Sequence, residues 1–162
     1  MVEIPEGVTV EVNGPVVTVK GPKGTLTRAF VKTVDIKVNG NNVDVMGKRL
    51  AYVNTVSSVI NNMCIGAKDG YEKKMKILFA HFPISLEVKG KEILVKNFLG
   101  ERSPRKTSLA GDGTKLQVKG QNISITGPDK EAVGQTAANL RSATKIKGKD
   151  GRIFQDGIYD EM

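Results

Sequence analysis

The chain has 162 residues, and its 39% hydrophobic content suits packed cores and is too high for general disorder. A net charge of +8 points to a polyanion or an anionic membrane surface, yet no apolar run approaches the roughly 20 residues of a membrane-spanning helix. Cys64 is the only cysteine, which excludes an internal disulfide and a multi-cysteine zinc site and makes a reducing compartment the simplest setting.

The N-terminal segment carries Glu3 and Glu6 and no basic stretch, so no signal peptide is expected. Alternating apolar residues then predict strands near 8–12 and 16–20, joined through Val12-Asn13-Gly14. Gly21-Pro22-Lys23-Gly24 follows, with an extended stretch to Phe30, and strands near 34–38 and 43–46 are joined through Val38-Asn39-Gly40. A helix is predicted from about Lys48 to Ile65, with Leu50, Val53, Val56, Ile60 and Met63 on its buried face and Gly66 as its stop. Tyr71 to Phe79 reads as a strand leaving this first unit, and Ala80-His81-Phe82-Pro83 as the joint to the next.

The pattern then repeats. Strands are predicted near 84–88, 92–96, 115–119 and 122–126, with turns at Val88-Lys89-Gly90 and Val118-Lys119-Gly120. The loop from Asn97 to Gly113 between the hairpins is long and basic. A second helix is expected near 129–143, with Asp129 as N-cap and Val133, Ala137 and Leu140 as its core stripe. Thr144 to Met162 shows little periodicity and reads as an irregular tail. The unit hairpin–hairpin–helix thus occurs twice, at a spacing of roughly 80 residues. The expected fold is α+β: two tandem similar domains, 1–81 and 82–162, each an antiparallel sheet of two hairpins packed on one helix, from an internal duplication.

Little suggests catalysis. Cys64 lies beside Met63 on a helix face, as a core thiol does, and His81, the sole histidine, sits between Phe79 and Phe82 with a packing or hydrogen-bonding role. No metal-binding or nucleophile motif is present, so no enzyme, cofactor or metal is expected. Charge is shared evenly: 11 Lys/Arg against 7 Asp/Glu in residues 1–79, and 14 against 10 in residues 80–162. Clustering is more informative. Lys145, Lys147, Lys149 and Arg152 lie close together after the second helix with Arg141 near, and Lys96, Arg102, Arg105 and Lys106 surround Gly100 and Pro104. Glycines let backbone approach phosphates and Lys/Arg neutralise them, which favours nucleic acid for the 145–152 stretch. Lys23 lies in a Gly-x-x-Gly pattern of the kind with which KH domains clamp a nucleic-acid backbone, but strands flank it here, and a plain turn is an equal reading. Aromatics are only 5% of the chain, which argues against stacking on single strands.

Five stretches together resemble the large-subunit ribosomal protein six family, called protein nine in older eukaryotic naming. They are Val19-Lys-Gly-Pro-Lys-Gly-Thr-Leu26, Ala80-His-Phe-Pro-Ile84, Lys96-Asn-Phe-Leu-Gly-Glu101, Thr126-Gly-Pro-Asp-Lys-Glu-Ala-Val-Gly-Gln135 and Asp156-Gly-Ile-Tyr159. The second and third are similar to the archaeal and eukaryotic branch. The resemblance implies a structural constituent of the large subunit in the cytoplasmic ribosome. It implies binding to large-subunit ribosomal RNA near the sarcin–ricin loop and the stalk base, beside neighbouring ribosomal proteins, with no membrane and no small-molecule substrate. It also implies that the second domain does most of the RNA binding, which adds Asn97 to the loop through Lys106 and favours Lys145–Arg152. The alternative is a free RNA-binding module or RNA chaperone acting off the ribosome. Changing Asp156, Asp160 and Glu161 to Ala is expected not to weaken binding in the way that removing the basic residues of 145–152 does.

Overall fold

The computed structural model describes residues 1–161. The elements in chain order are β1 (Val2–Glu3), β2 (Thr9–Asn13), β3 (Val16–Gly21), β4 (Gly24–Ala29), β5 (Val34–Asn39), β6 (Asn42–Gly47), α1 (Leu50–Lys68) and β7 (Tyr71–Leu78). They continue with β8 (Ser85–Lys89), β9 (Glu92–Lys96), β10 (Arg105–Ser108), β11 (Lys115–Lys119), β12 (Asn122–Gly127), α2 (Lys130–Ala143) and β13 (Gly157–Asp160). Two compact units form: Met1–Tyr71 with Gly127–Lys130, and Glu72–Thr126 with the chain from Glu131 onward.

In the first unit β2-β3-β4 make one antiparallel sheet and β1-β6-β5 another. Each strand alternates: Val17 and Val19 of β3, and Val43 and Val45 of β6, turn inward. Helix α1 closes this core with Val56, Ile60, Met63, Cys64 and Ala67. The second unit repeats the order, with sheets β8-β9-β10 and β11-β12-β7-β13. Its core takes Ile93 and Val95 from β9, Ile123 and Ile125 from β12, and Val133, Ala137 and Leu140 from α2.

The duplication extends to single hydrogen bonds. Ile4 N donates to Asn41 O at 2.7 Å, and Ile77 N donates to Gln121 O at 2.7 Å. Phe30 N donates to Pro15 O at 2.7 Å, and Leu109 N to Lys91 O at 2.8 Å. Each acceptor follows a turn glycine, and the four glycines share one conformation: φ is 62° at Gly14, 61° at Gly90, and 60° at Gly40 and Gly120. All four close two-residue hairpins with glycine in the first central position, where a side chain would be strained. The expected α+β pair of similar units is the observed one.

Four local expectations need correction. Helix α1 does not stop at Gly66, which is buried inside it. A Cβ at Gly66 would overlap the Pro128 carbonyl oxygen, so the glycine serves close approach. The helix runs instead to Lys68 with Asp69 as its C-cap, and Gly70 with φ 77° accepts the left-handed turn, its N–H donating to Gly66 O at 3.0 Å. Leu50 is 73% exposed, because the buried stripe begins one turn later at Val53 and Val56. The strand placed at the close of the first unit, β7, hydrogen-bonds within the sheet of the second, in the position that β1 holds in the first. It reads more naturally as the opening strand of the second copy.

The last correction concerns the tail. Residues 157–160 form β13, antiparallel to β7 with Ile158 opposite Ile77. Thr144, Asp156 and Ile158 are buried. The Thr144 hydroxyl donates to Leu140 O at 3.2 Å and accepts from Ile158 N at 3.1 Å, so both ends of the segment 145–155 are anchored. A strand of four residues with one inward apolar side chain is too short to declare a period.

Candidate nucleic-acid interface

The two basic clusters of the second unit meet through Arg105. β9 leads into Asn97, whose φ of 60° is left-handed, and then into a short 3-10 turn, Phe98–Gly100, in which Leu99 is also left-handed at φ 51°. Asn97 is suited to this conformation and its side-chain amide donates to Pro83 O at 3.0 Å. The turn buries Phe98 completely. Arg105, at the start of β10, lies 4.4 Å above the Phe98 ring. Its Nε and Nη2 donate to the two Glu101 carboxylate oxygens at 2.9 and 2.7 Å, and its Nη1 donates to the carbonyls of Ala143 and Lys145 at 3.0 and 3.1 Å. The hydrogen bonds from Arg105 hold the Glu101 carboxyl below the usual carboxylate range.

Arg105 is therefore turned inward and ties the 97–106 loop to the base of the 145–152 loop. Replacing it with Ala is expected to destabilise the protein by about 2 kcal/mol, since two carbonyls and a carboxylate lose their donor. Lys at this position is expected to restore less than half of that, because one ammonium cannot reproduce the bidentate fork and the second contact. Chemical denaturation of the two variants measures both effects.

The other nominated cations fall into two groups. Lys96 pairs with Glu87, Lys106 lies 3.8 Å from Glu92, Arg141 lies 3.1 Å from Asp160, and Arg152 makes a bidentate contact with Asp150. Hydrogen bonds from Arg152 hold the Asp150 carboxyl below its ordinary value. Lys149 Nζ sits 4.7 Å from the centre of the Phe154 ring. By contrast Lys145, Lys147 and Arg102 are exposed and make no ion pair among the described residues. Lys23 is the one nominated residue of the first unit. It occupies the two-residue turn of the β3–β4 hairpin, where its N–H donates to Ala67 O at 2.9 Å, so the Gly-x-x-Gly pattern seats the hairpin on the end of α1 and leaves the Lys23 side chain exposed.

Two of the three acidic residues not expected to support binding hold the fold together. Asp156 is 1% exposed, and Asp160 pairs with both Arg141 and Lys73. A set of lysines escaped the clustering argument altogether. Lys74, Lys76, Lys115 and Lys119 alternate with Met75, Ile77, Leu116 and Val118 along β7 and β11. That period of two was the available signal, since it places all four lysines on the face opposite the core. Among the described residues no three His, Cys, Asp or Glu side chains gather into a metal-binding group.

Comparison with known proteins agrees with the direction of this chemistry. The family model described as Ribosomal protein L6 matches residues 4–70 and 82–157. The large ribosomal subunit protein uL6 of Methanobrevibacter smithii is 49% identical, over 98% of this chain and 92% of its own length. That of Methanosphaera stadtmanae is 50% identical, over 98% of this chain and 90% of its own. That of Haloarcula marismortui is 40% identical, over 97% and 91%.

Proposed function

This chain belongs to the ribosomal protein L6 family, and we propose that it binds large-subunit ribosomal RNA near the sarcin–ricin loop and the stalk base, beside neighbouring ribosomal proteins. Membership makes it a structural component of the large ribosomal subunit, a role without catalysis. The observation that carries the RNA reading is the anchored basic loop of the second unit. Lys145 and Lys147 project from a segment pinned by Thr144 at one end and by Asp156 and Ile158 at the other. Cations on a fixed base present phosphate-neutralising charge without the ordering cost of a free tail.

Sedimentation tests the assignment. When magnesium removal separates the subunits, the protein is expected to travel with the large one. Migration with the small subunit, or a position at the top of the gradient in low salt, would refute the ribosomal placement and favour a free RNA chaperone. A fragment carrying the sarcin–ricin loop and stalk base should bind the purified full chain more tightly than an unrelated duplex of equal length. Equal affinity for both would reject the proposed location.

A further inference from the structure

We propose that the open face of the four-stranded sheet in the second unit is a separate RNA-docking surface, on which Lys74, Lys76, Lys115 and Lys119 neutralise phosphates. The proposal rests on the reading that the chain binds large-subunit RNA, and it names a surface distinct from the 97–106 and 145–152 loops.

The geometry follows from strand alternation. Met75, Ile77, Ile123, Ile125 and Ile158 face the core and are at most 1% exposed. Their neighbours must face the other way. Lys74, Lys76, Lys115 and Lys119 are all exposed. The sheet order β11-β12-β7-β13 places β12 between the two lysine-bearing strands. Side chains two residues apart on a strand stand about 7 Å apart, and strands two places apart are separated by roughly 10 Å. The four ammonium groups thus form a spread grid.

Charge decides the occupant. Lys20, Lys73, Lys89, Lys91, Lys96 and Lys106 each meet a carboxylate within their own unit. The four lysines of this face make no ion pair among the described residues. Two carboxylates stand with them: Glu72, which accepts from the Ser124 hydroxyl at 2.7 Å, and Glu161, and both line a depression beside Lys74 and Lys119. This depression of about 380 Å³ runs between the lysine strands, and its lining includes Gln117, Asn122 and Ser124, polar groups able to meet sugar hydroxyls and phosphate oxygens. Among the described residues of these strands only one aromatic, Tyr159, stands on this side, opposite Lys76 on the neighbouring strand. Binding here is therefore to backbone charge and salt-dependent, without a stacking platform.

The test is titration of a sarcin–ricin and stalk-base RNA fragment with the full chain at several salt concentrations. The variant K74Q/K76Q/K115Q/K119Q should keep its circular dichroism and melting temperature, because all four side chains are exposed. Its log–log salt slope should flatten by about 3, at roughly 0.7–0.9 per phosphate contact. An unchanged slope in this folded variant, while K145A/K147A flattens its own, would overturn the sheet surface and leave the functional reading intact. Failure of the unmodified chain to bind the fragment would overturn both. Lysine acetylation gives the second measurement: the four lysines should be protected in the RNA complex as well as in assembled subunits. Protection in the subunit alone would mean that a neighbouring protein covers the face, and would overturn the RNA assignment.

Discussion

Replacing Asp156 with Ala is expected to destabilise the protein by about 3 kcal/mol, lowering its melting temperature by roughly 6–12 °C. The carboxylate is 1% exposed and accepts three hydrogen bonds. Two come from the Ala80 and His81 N–H groups at 3.2 Å and one from His81 Nδ1 at 2.9 Å. The His81 ring in turn stacks on Phe154 at 4.7 Å. One buried side chain thus fastens residues 80–81 to the far end of the basic loop, and its removal strands two backbone donors. Burial pushes the Asp156 carboxyl up, but the His81 side chain and the two N–H donors outweigh it and leave it below the ordinary carboxylate value. A carboxyl lowered in the fold adds stability above its unfolded pKa, near 3.9, and loses it as pH falls through the folded value. The unmodified protein should therefore weaken in acid below about pH 4, and Asp156→Asn should show a shallower acid limb. Asn keeps an acceptor for the backbone donors, so it should cost about 1 kcal/mol less than Ala. Denaturant titration from pH 3 to pH 7 measures both quantities. An Ala variant within 0.5 kcal/mol of the parent would show that water replaces the carboxylate.

The difference between what was and was not legible in the sequence is physical. Val-x-Gly between alternating runs is a local signal, because the turn glycine and the period of two are properties of a few adjacent residues. The two copies of the fold followed from it. Which strand joins which sheet is not local. β7 has the same sequence whether it closes one unit or opens the next, and only its bonds beside β12 and β13 decide. Helix α1 shows the same limit on a smaller scale. Gly66 and Gly70 are both plausible stops, and what separates them is the Pro128 carbonyl oxygen against Gly66, a residue far along the chain.

The basic residues show it most clearly. Arg102 and Arg105 are three positions apart in one loop and look alike as charge. Arg105 is taken by Glu101, Phe98 and two carbonyls from beyond α2, whereas Arg102 is exposed. A charge count weights them equally; partners rank them. The lysines of β7 and β11 were readable by alternation but not by density, since they lie some 40 residues apart in the chain and come together only when β12 and β7 pair.

The same ranking sets the expected outcome for the 145–152 loop. From sequence its four cations look equivalent, and each meeting one phosphate would give a combined salt slope of about 3 to 4. The structure divides them. Lys145 and Lys147 are free to neutralise phosphates, so K145A/K147A should flatten the log–log slope by about 1.5–2 and weaken binding at least tenfold at low salt. Arg152 is already matched by Asp150, with Nε and Nη2 at 3.2 and 3.1 Å from its oxygens. Its guanidinium would have to exchange one anion for another, so R152A should change the slope by well under 1. Lys149, over Phe154, should fall between. The informative variant has the opposite sign. Asp150→Ala frees Arg152, whose side chain is 90% exposed, and should steepen the slope by up to about 1. The loop should hold, because Ile153 N and Phe154 N bond to the Asp150 backbone carbonyl, which Ala retains. If K145A/K147A and Asp150→Ala both leave the slope of a folded protein unchanged, this loop does not meet phosphate. Binding would then have to reside in the sheet face or at Arg102, the exposed cation of the neighbouring loop.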